Sequence, residues 1–278
     1  MKISGHTLFK NEEKWLWFAV SSVINYVDKL LLWDTGSTDN SWKIAQELKE
    51  LYPDKISLRQ YGEVTTETFS KARQEMLDET DSEWFLVVDG DEIWWEESIA
   101  KVTASIKKGL ANKSESVVVP TINLIGDIFH FQEKEAGRYR FGKLFGHYNL
   151  RAVKKDIPGL HSEGVHGIWG WADENNNQIQ NRNTFNFIET PYLHTTFLPR
   201  GESREADLKV PKRGKKLKYE LGETLPLDYY FPEVLFKAKP EFIPSPWQSR
   251  TTDYKIRSIL ELPLKKIKRR ILNDRIGY

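Results

Sequence analysis

The sequence predicts an α/β protein built on a mostly parallel sheet, and three observations carry that expectation. Short, dense apolar runs recur at 29–33, 84–88 and 117–120. Between them lie stretches whose apolar residues step by three and four, the helical period. The loops that join the two kinds of segment are short. Such alternation argues for parallel strands covered by helices on both faces.

The elements follow in order. Ile3 to Phe9 alternates apolar and small residues, as a strand does. Leu16, Val20, Val23 and Val27 form one helical stripe. The run 29–33 reads as a buried strand. Ser37, Thr38 and Asp39 offer N-caps for a helix that carries Ile44, Leu48 and Leu51 on one face. A third strand is expected over 55–61, a helix with Phe69, Ala72, Met76 and Leu77, and a fourth strand over 84–89. Ile99, Val102, Ile106 and Leu110 mark the next helix, with Gly109 near its end. A fifth strand occupies 117–120. Beyond it the pattern loosens, with strand-like pieces only at 149–154 and 185–194. Three segments result: 1–125, then 126–220 with a basic loop, and 221–278 as a C-terminal extension.

Composition bounds the function. The chain has 278 residues, of which 39% are hydrophobic and 29% charged, enough for a packed core. Lys and Arg number 41 against 40 acids, so a wholesale binder of nucleic acid is not expected. Cysteine is absent, which excludes disulfides, zinc ribbons and thiol nucleophiles. No apolar run approaches the roughly twenty residues of a membrane span. Met1 to His6 turns polar at once, so a signal peptide is not expected; a cytoplasmic location, or the inner face of a membrane, is.

In open α/β sheets ligands bind beyond the C-terminal ends of the strands. There the sequence reads Lys10-Asn11-Glu12-Glu13 after the first strand, Asp34 to Asn40 after the second, and Asp89-Gly90-Asp91-Glu92 after the fourth. Two carboxylates separated by one glycine suit a hard divalent ion, Mn2+ or Mg2+, which takes oxygen ligands. The competing reading is a solvated turn with an acidic helix start. Asp34 is placed to accept hydrogen bonds from a nucleobase or ribose, and Gly36 lets a backbone come close. The plainer reading is a turn and a helix cap.

These motifs, with Phe69-Ser70-Lys71-Ala72-Arg73 between them, appear in an order that resembles family 2 glycosyltransferases of the GT-A fold. The resemblance covers roughly residues 2–125. It implies an inverting, non-processive transfer from a nucleotide-sugar donor, UDP-, GDP- or dTDP-linked, with a divalent metal. Carried over by position, Lys10, Asn11, Glu12, Asp34 and Gly36 would line the nucleotide, Arg73 would lie near it, and Asp89, Gly90 and Asp91 would bracket metal and diphosphate. His194 would be a further metal ligand, since the family often uses a late histidine there. The Gln-x-x-Arg-Trp motif and the spans of processive synthases are missing, as is the Glu-Asp dipeptide that often marks the base.

An inverting displacement needs stabilisation of the leaving diphosphate and a base for the acceptor hydroxyl. The segment 160–167 gathers His161, Glu163 and His166 between glycines, with Glu163 the preferred base, tuned upward by Trp169 and Trp171. A polar loop with satisfied histidines is the alternative. Residues 200–218 hold eight basic side chains against three acids. That loop would close over the diphosphate with Arg200, Arg204, Lys212 or Arg213, or else is simply solvated. One of Trp94 and Trp95 would wall a sugar. At the C-terminus Leu264, Ile267, Ile271 and Leu272 alternate with Lys265, Lys266, Lys268, Arg269 and Arg270. This is a basic amphipathic helix, suited to an anionic leaflet carrying a lipid-linked saccharide acceptor, or to packing on the domain.

Two rival readings are another Mg2+-dependent α/β enzyme, such as a phosphatase or nucleotidyltransferase, and a non-catalytic carbohydrate-binding module. A phosphatase would want an Asp nucleophile where Lys10 and Asn11 stand. A binding module would not need Asp34, Asp89 and Asp91 together.

Overall fold

The computed structural model describes residues 1–109, 113–201 and 203–271, and of these the side chains of 204, 206, 215 and 264–271 are left aside. Leu110 and Leu272, expected on helical stripes, lie outside the described residues. The first half is strand–helix alternation: β1 (Ile3–Phe9), α1 (Leu16–Val23), β2 (Lys29–Asp34), α2 (Ser41–Leu51), β3 (Ile56–Gln60), α3 (Phe69–Asp78) and β4 (Trp84–Val87). There follow β5 (Glu92–Trp94), α4 (Glu96–Lys107), β6 (Ser116–Ile125) and β7 (Asp127–Phe131). Two hairpins, β8 (Tyr139–Phe141) with β9 (Leu144–Gly146) and β11 (His161–Glu163) with β12 (Gly170–Ala172), flank β10 (Tyr148–Lys154). The chain closes with β13 (Phe185–Phe187), β14 (Tyr192–Phe197), α5 (Arg204–Lys209), β15 (Glu223–Thr224) and α6 (Thr252–Ile271).

The main sheet runs β15-β7-β6-β10-β4-β1-β2-β3, with β13 and β14 paired to β6 and β5 paired to β14. Only β5, β7 and β10 run against the other strands, so the sheet is mostly parallel as the alternation predicts. One sheet thus draws strands from both sides of residue 125 and, through β15, from beyond 220. The fifth predicted strand is longer than expected and is not adjacent to β4: β10 inserts antiparallel between them. The strand expected over 185–194 is two strands, β13 and β14.

The register explains where the site lies. Phe9 pairs with Asp34 and His6 with Val87, all in parallel strands, so β1, β2 and β4 end on one edge. Helix α1 is buried almost all round, against α2, α4 and β5, which pins that edge from one side. Trp94 and Trp95 take no part in a sugar wall. Trp94 is buried and stacked on Tyr192 at 4.8 Å, and Trp95 packs edge-on to Tyr229 while donating its Nε1–H to the Tyr230 carbonyl at 2.8 Å. Both positions face core on their own side of the chain.

His6 sits fully buried in β1, 2.6 Å from Thr80 Oγ1 and stacked on Phe85. Burial, with help from Arg73 and Lys155, pushes its pKa down to about 3. A basic group with a depressed folded pKa lets the unfolded chain take the proton first, so stability falls as pH drops below the unfolded value. By pH 4 the loss reaches about 3 kcal/mol. Melting temperature measured from pH 7 to pH 4 is expected to fall less steeply in His6→Gln than in the wild type.

Candidate active site

Three turns meet at the edge made by β1, β2 and β4. Asn11, with φ of 51°, ends the first; its backbone N–H donates to Ser37 Oγ at 2.9 Å, and its Oδ1 accepts from the Thr38 N–H at 2.7 Å. Ser37 and Thr38 are therefore tethers between loops rather than caps. Only Asp39 acts at the helix start, its Oδ1 accepting from the Ser41 N–H at 2.9 Å. Asp34 is buried and accepts from the Ser37 N–H; burial pushes its carboxyl above the ordinary range, against the pull of those hydrogen bonds. Gly36 turns through φ +87°, a region that a side chain rarely adopts.

The turn 89–91 comes close to the first loop: a Cβ on Gly90 would lie 3.1 Å from Glu12 Cγ. Asp89 Oδ1 accepts from Arg73 Nη2 at 2.7 Å, and its Oδ2 lies 3.7 Å from Arg151. Burial raises the Asp89 carboxyl, but Arg73 and Arg151 outweigh it and hold it low. Asp91 is buried; its Oδ2 accepts from Arg200 Nη1 at 2.7 Å and stands 3.3 Å from His194 Nε2. Burial again opposes ionisation, and Arg200 and His194 overcome it, so Asp91 stays well below the usual carboxylate range. His194 comes from β14, whose pairing with β5 sets it opposite Glu92. Burial holds the imidazole below its ordinary value despite Asp91, and Nδ1 has no partner.

The basic loop is folded down over this edge. Arg200 Nη1 also reaches Glu12 Oε1 at 2.9 Å. Arg213 donates to Glu12 Oε1 at 2.5 Å, to the Asn11 and Lys10 carbonyls at 2.6 and 2.7 Å, and to Asp207 Oδ1 at 3.0 Å. Burial pushes Glu12 up to about 7, against the two guanidinium groups. Lys212 does not face the carboxylates: its Nζ donates to the His166 carbonyl. Arg204 opens α5, and its side chain lies outside the described residues. Lys10 reaches Glu63 at 3.3 Å. Two small cavities, about 170 and 230 Å³, lie elsewhere, beside Tyr26 and Trp94 and beside Glu115 and Asp156.

His161 and Glu163 lie on β11, one face apart from Ser162. Ser162 pairs with Trp171 and accepts from Trp169 Nε1 at 2.6 Å, so the two tryptophans share its face and do not wall Glu163 as expected. His161 Nδ1 bonds to the Gly159 carbonyl at 2.8 Å. His166 stacks on Phe69 at 4.7 Å, and burial, with Lys216, pushes it down to about 4. Arg73 lies over the rings of Phe69 and Trp169, which links this hairpin to Asp89.

Five further residues around this edge were given no role from the sequence. Arg151 on β10 binds Glu92 and donates to Tyr192 Oη at 3.0 Å, and Asn149 donates to the same oxygen at 2.6 Å. Glu92, wholly buried, is pushed up to about 8 by that burial, and Arg151 offsets it. Lys216 is half-buried near Asp91, Asp89 and Glu12, and burial lowers it. Among the described residues no three His, Asp or Glu side chains form a ready-made metal group. Asp91 and His194 converge; Asp89 turns to Arg73.

The model of the family described as Glycosyl transferase family 2 matches residues 6–161, over half of the chain. The chain belongs to glycosyl transferase family 2. Its strand–helix alternation and mostly parallel central sheet are consistent with that membership. Solved structures similar to this family member include residues 1–349 of TarS from S. aureus, at 14% identity and a TM-score of 0.45, covering 70% of this chain and 61% of that one. The glucosyl-3-phosphoglycerate synthase of Mycobacterium tuberculosis, solved with Mn2+, UDP and glucosyl-3-phosphoglycerate, gives 13% identity, a TM-score of 0.44 and coverage of 70% and 72%. A mannosyltransferase from Pyrobaculum calidifontis, in complex with GDP-Man and Mn2+, gives 11%, 0.42, 74% and 59%. The chain thus spans about three fifths of the TarS chain it matches. No curated protein matches it in sequence.

Proposed function

We propose that this glycosyltransferase moves one sugar, with inversion, from a nucleoside-diphosphate sugar to a hydroxyl of a carbohydrate or lipid-linked saccharide, in surface polysaccharide or glycoconjugate synthesis. The observation that carries this reading is the convergence of Asp34, the Asp89/Asp91 turn and His194 on one sheet edge beneath a cationic loop. Asp34 and the Asn11 loop are the nucleoside end. Arg200, Lys216 and Arg73 are the cations that face the diphosphate and its growing charge.

Asp91 Oδ2 and His194 Nε2 are a donor set that fits a divalent ion, and these two residues would hold Mn2+ or Mg2+, the remaining positions falling to water and phosphate oxygens. Such an ion supplies charge compensation for the leaving diphosphate. Segment 200–216 acts as a strap: it leaves the edge to admit the donor and returns through the Glu12–Arg200 and Glu12–Arg213 pairs. Glu163 is the proposed base, with His161 and His166 behind it. His166 is uncharged at neutral pH, as a proton acceptor must be.

Thermal shift against UDP, GDP, dTDP and CDP, each with and without Mn2+, tests the donor side. One nucleotide should raise Tm, and more so with the ion; no response to any of them contradicts the reading. On the acceptor side, Glu163→Gln is expected to slow transfer about 10²–10⁴-fold while nucleotide affinity stays unchanged. Wild-type turnover in Glu163→Gln removes it from the role.

A further inference from the structure

The C-terminal helix α6 carries an apolar face that nothing among the described residues covers. Its inner side is fastened to the domain. Ser258 is 0% exposed, and Tyr254 Oη donates to the Lys218 carbonyl at 2.8 Å and accepts from the Glu220 N–H at 3.2 Å. Arg257 donates to Tyr219 Oη at 3.0 Å. The approach is close: a Cβ on Gly126 would stand 2.7 Å from Tyr254 Cε1. At about 100° per residue, Ile256, Ile259 and Leu260 fall within one arc on the opposite side of the helix. They are 53%, 57% and 71% exposed.

Exposed Lys255 and Arg257 stand on either side of that arc. In the sequence the same three- and four-residue spacing continues to Leu264, Ile267 and Ile271, and the helix as a whole holds seven Lys/Arg against Asp253 and Glu261. No helix of the described residues is long and apolar enough to cross a membrane.

We infer that α6 lies flat on an anionic lipid surface, with Ile256, Ile259 and Leu260 entering the headgroup–acyl boundary and the basic residues beside them meeting lipid phosphates. Charge selects this occupant. A second copy of the helix would bring seven cations against seven, whereas an anionic leaflet attracts them all. Lys and Arg also suit the rim, because their stems lie along apolar surface while their heads stay in water. Tyr254 ties the helix to 218–220, directly after the loop that covers the carboxylates, so the site would be held close to the lipid surface.

Co-sedimentation of the full chain with vesicles tests this without any nucleotide, so its outcome is independent of the sugar chemistry. The chain should pellet with phosphatidylcholine vesicles containing phosphatidylglycerol, remain in solution with phosphatidylcholine alone, and dissociate as salt is raised. Ile259→Asp and Leu260→Asp should each lower the bound fraction at least tenfold with Tm unchanged. Leu51→Asp, at an exposed leucine of α2, should bind like the wild type. Absence of vesicle binding overturns the inference. So does binding that ignores both variants. A concentration-dependent dimer in sedimentation that Ile259→Asp dissolves, without vesicle binding, assigns the face to a second copy and also overturns it.

Discussion

Asp91→Ala is expected to abolish sugar transfer and leave the fold standing. Asp91 is the point where His194 and Arg200 meet, and its carboxyl is held well below the usual range. On the proposed reading, its loss takes from the ion one of its two protein donors and from Arg200 the anchor that would aim it at the diphosphate. Loss of one preorganised charge-stabilising group costs about 10²–10³-fold in turnover; losing two roles together should exceed that. Arg200 keeps Glu12 as partner, so no buried guanidinium is stranded. Circular dichroism and Tm should therefore stay near wild type while donor turnover disappears. Asp34→Ala should act differently. It removes a contact at the nucleoside end, so it weakens donor binding and leaves the rate at saturating donor largely intact.

The largest expected effect on stability belongs to Arg151→Met. Glu92 is wholly buried, and Arg151 is its charge partner. Where Glu92 is ionised, removing its partner leaves an uncompensated charge and costs about 3–5 kcal/mol. In a chain of this size that lowers Tm on the order of 10 °C. The pH dependence has a definite sign. The Glu92 pKa, already raised to about 8, exceeds that of the unfolded chain, so the folded state holds the proton more tightly. A raised acid destabilises as pH climbs from the unfolded value to the folded one. The deficit of Arg151→Met should therefore be smaller at pH 5 than at pH 8. Adding Glu92→Gln removes the stranded charge, so the double variant should recover part of the loss. If the double variant is as unstable as the sum of the singles, Arg151 acts through packing alone.

Much of the fold was legible because β2 and β4 are buried on both faces and so read as dense apolar runs, while β1 showed as an alternation of apolar and small residues. The separation of β6 from β4 was not. The intervening β10 comes from residues 148–154, and its pairing depends on partners about thirty and sixty-five residues away, which local periodicity does not encode. The three-residue β5 is too short to show a period.

At the site, the carboxylates were visible because the sheet rule names the strand ends. Arg151 was invisible for the opposite reason: a lone arginine in a half-buried strand carries no motif, and only the insertion of β10 beside β4 brings it to Glu92. Lys216 was visible merely as one member of a basic run. Ser37 and Thr38 have the chemistry of helix caps, and the first loop competes for the same hydrogen bonds through Asn11. Arg213 was expected at the diphosphate. Its two terminal nitrogens are taken up by Glu12, Asp207 and two backbone carbonyls, which makes it the clasp of the proposed strap.

The central claim is that acidic turns from three strands form one donor site. Phosphorus NMR of UDP-, GDP- and dTDP-sugars incubated with the chain and Mn2+ tests it most directly. The account predicts that wild-type chain releases nucleoside diphosphate from one of these donors and that Asp91→Ala releases none. Consumption of a donor by Asp91→Ala at the wild-type rate, or of none by the wild type with acceptor glycans supplied, would contradict it.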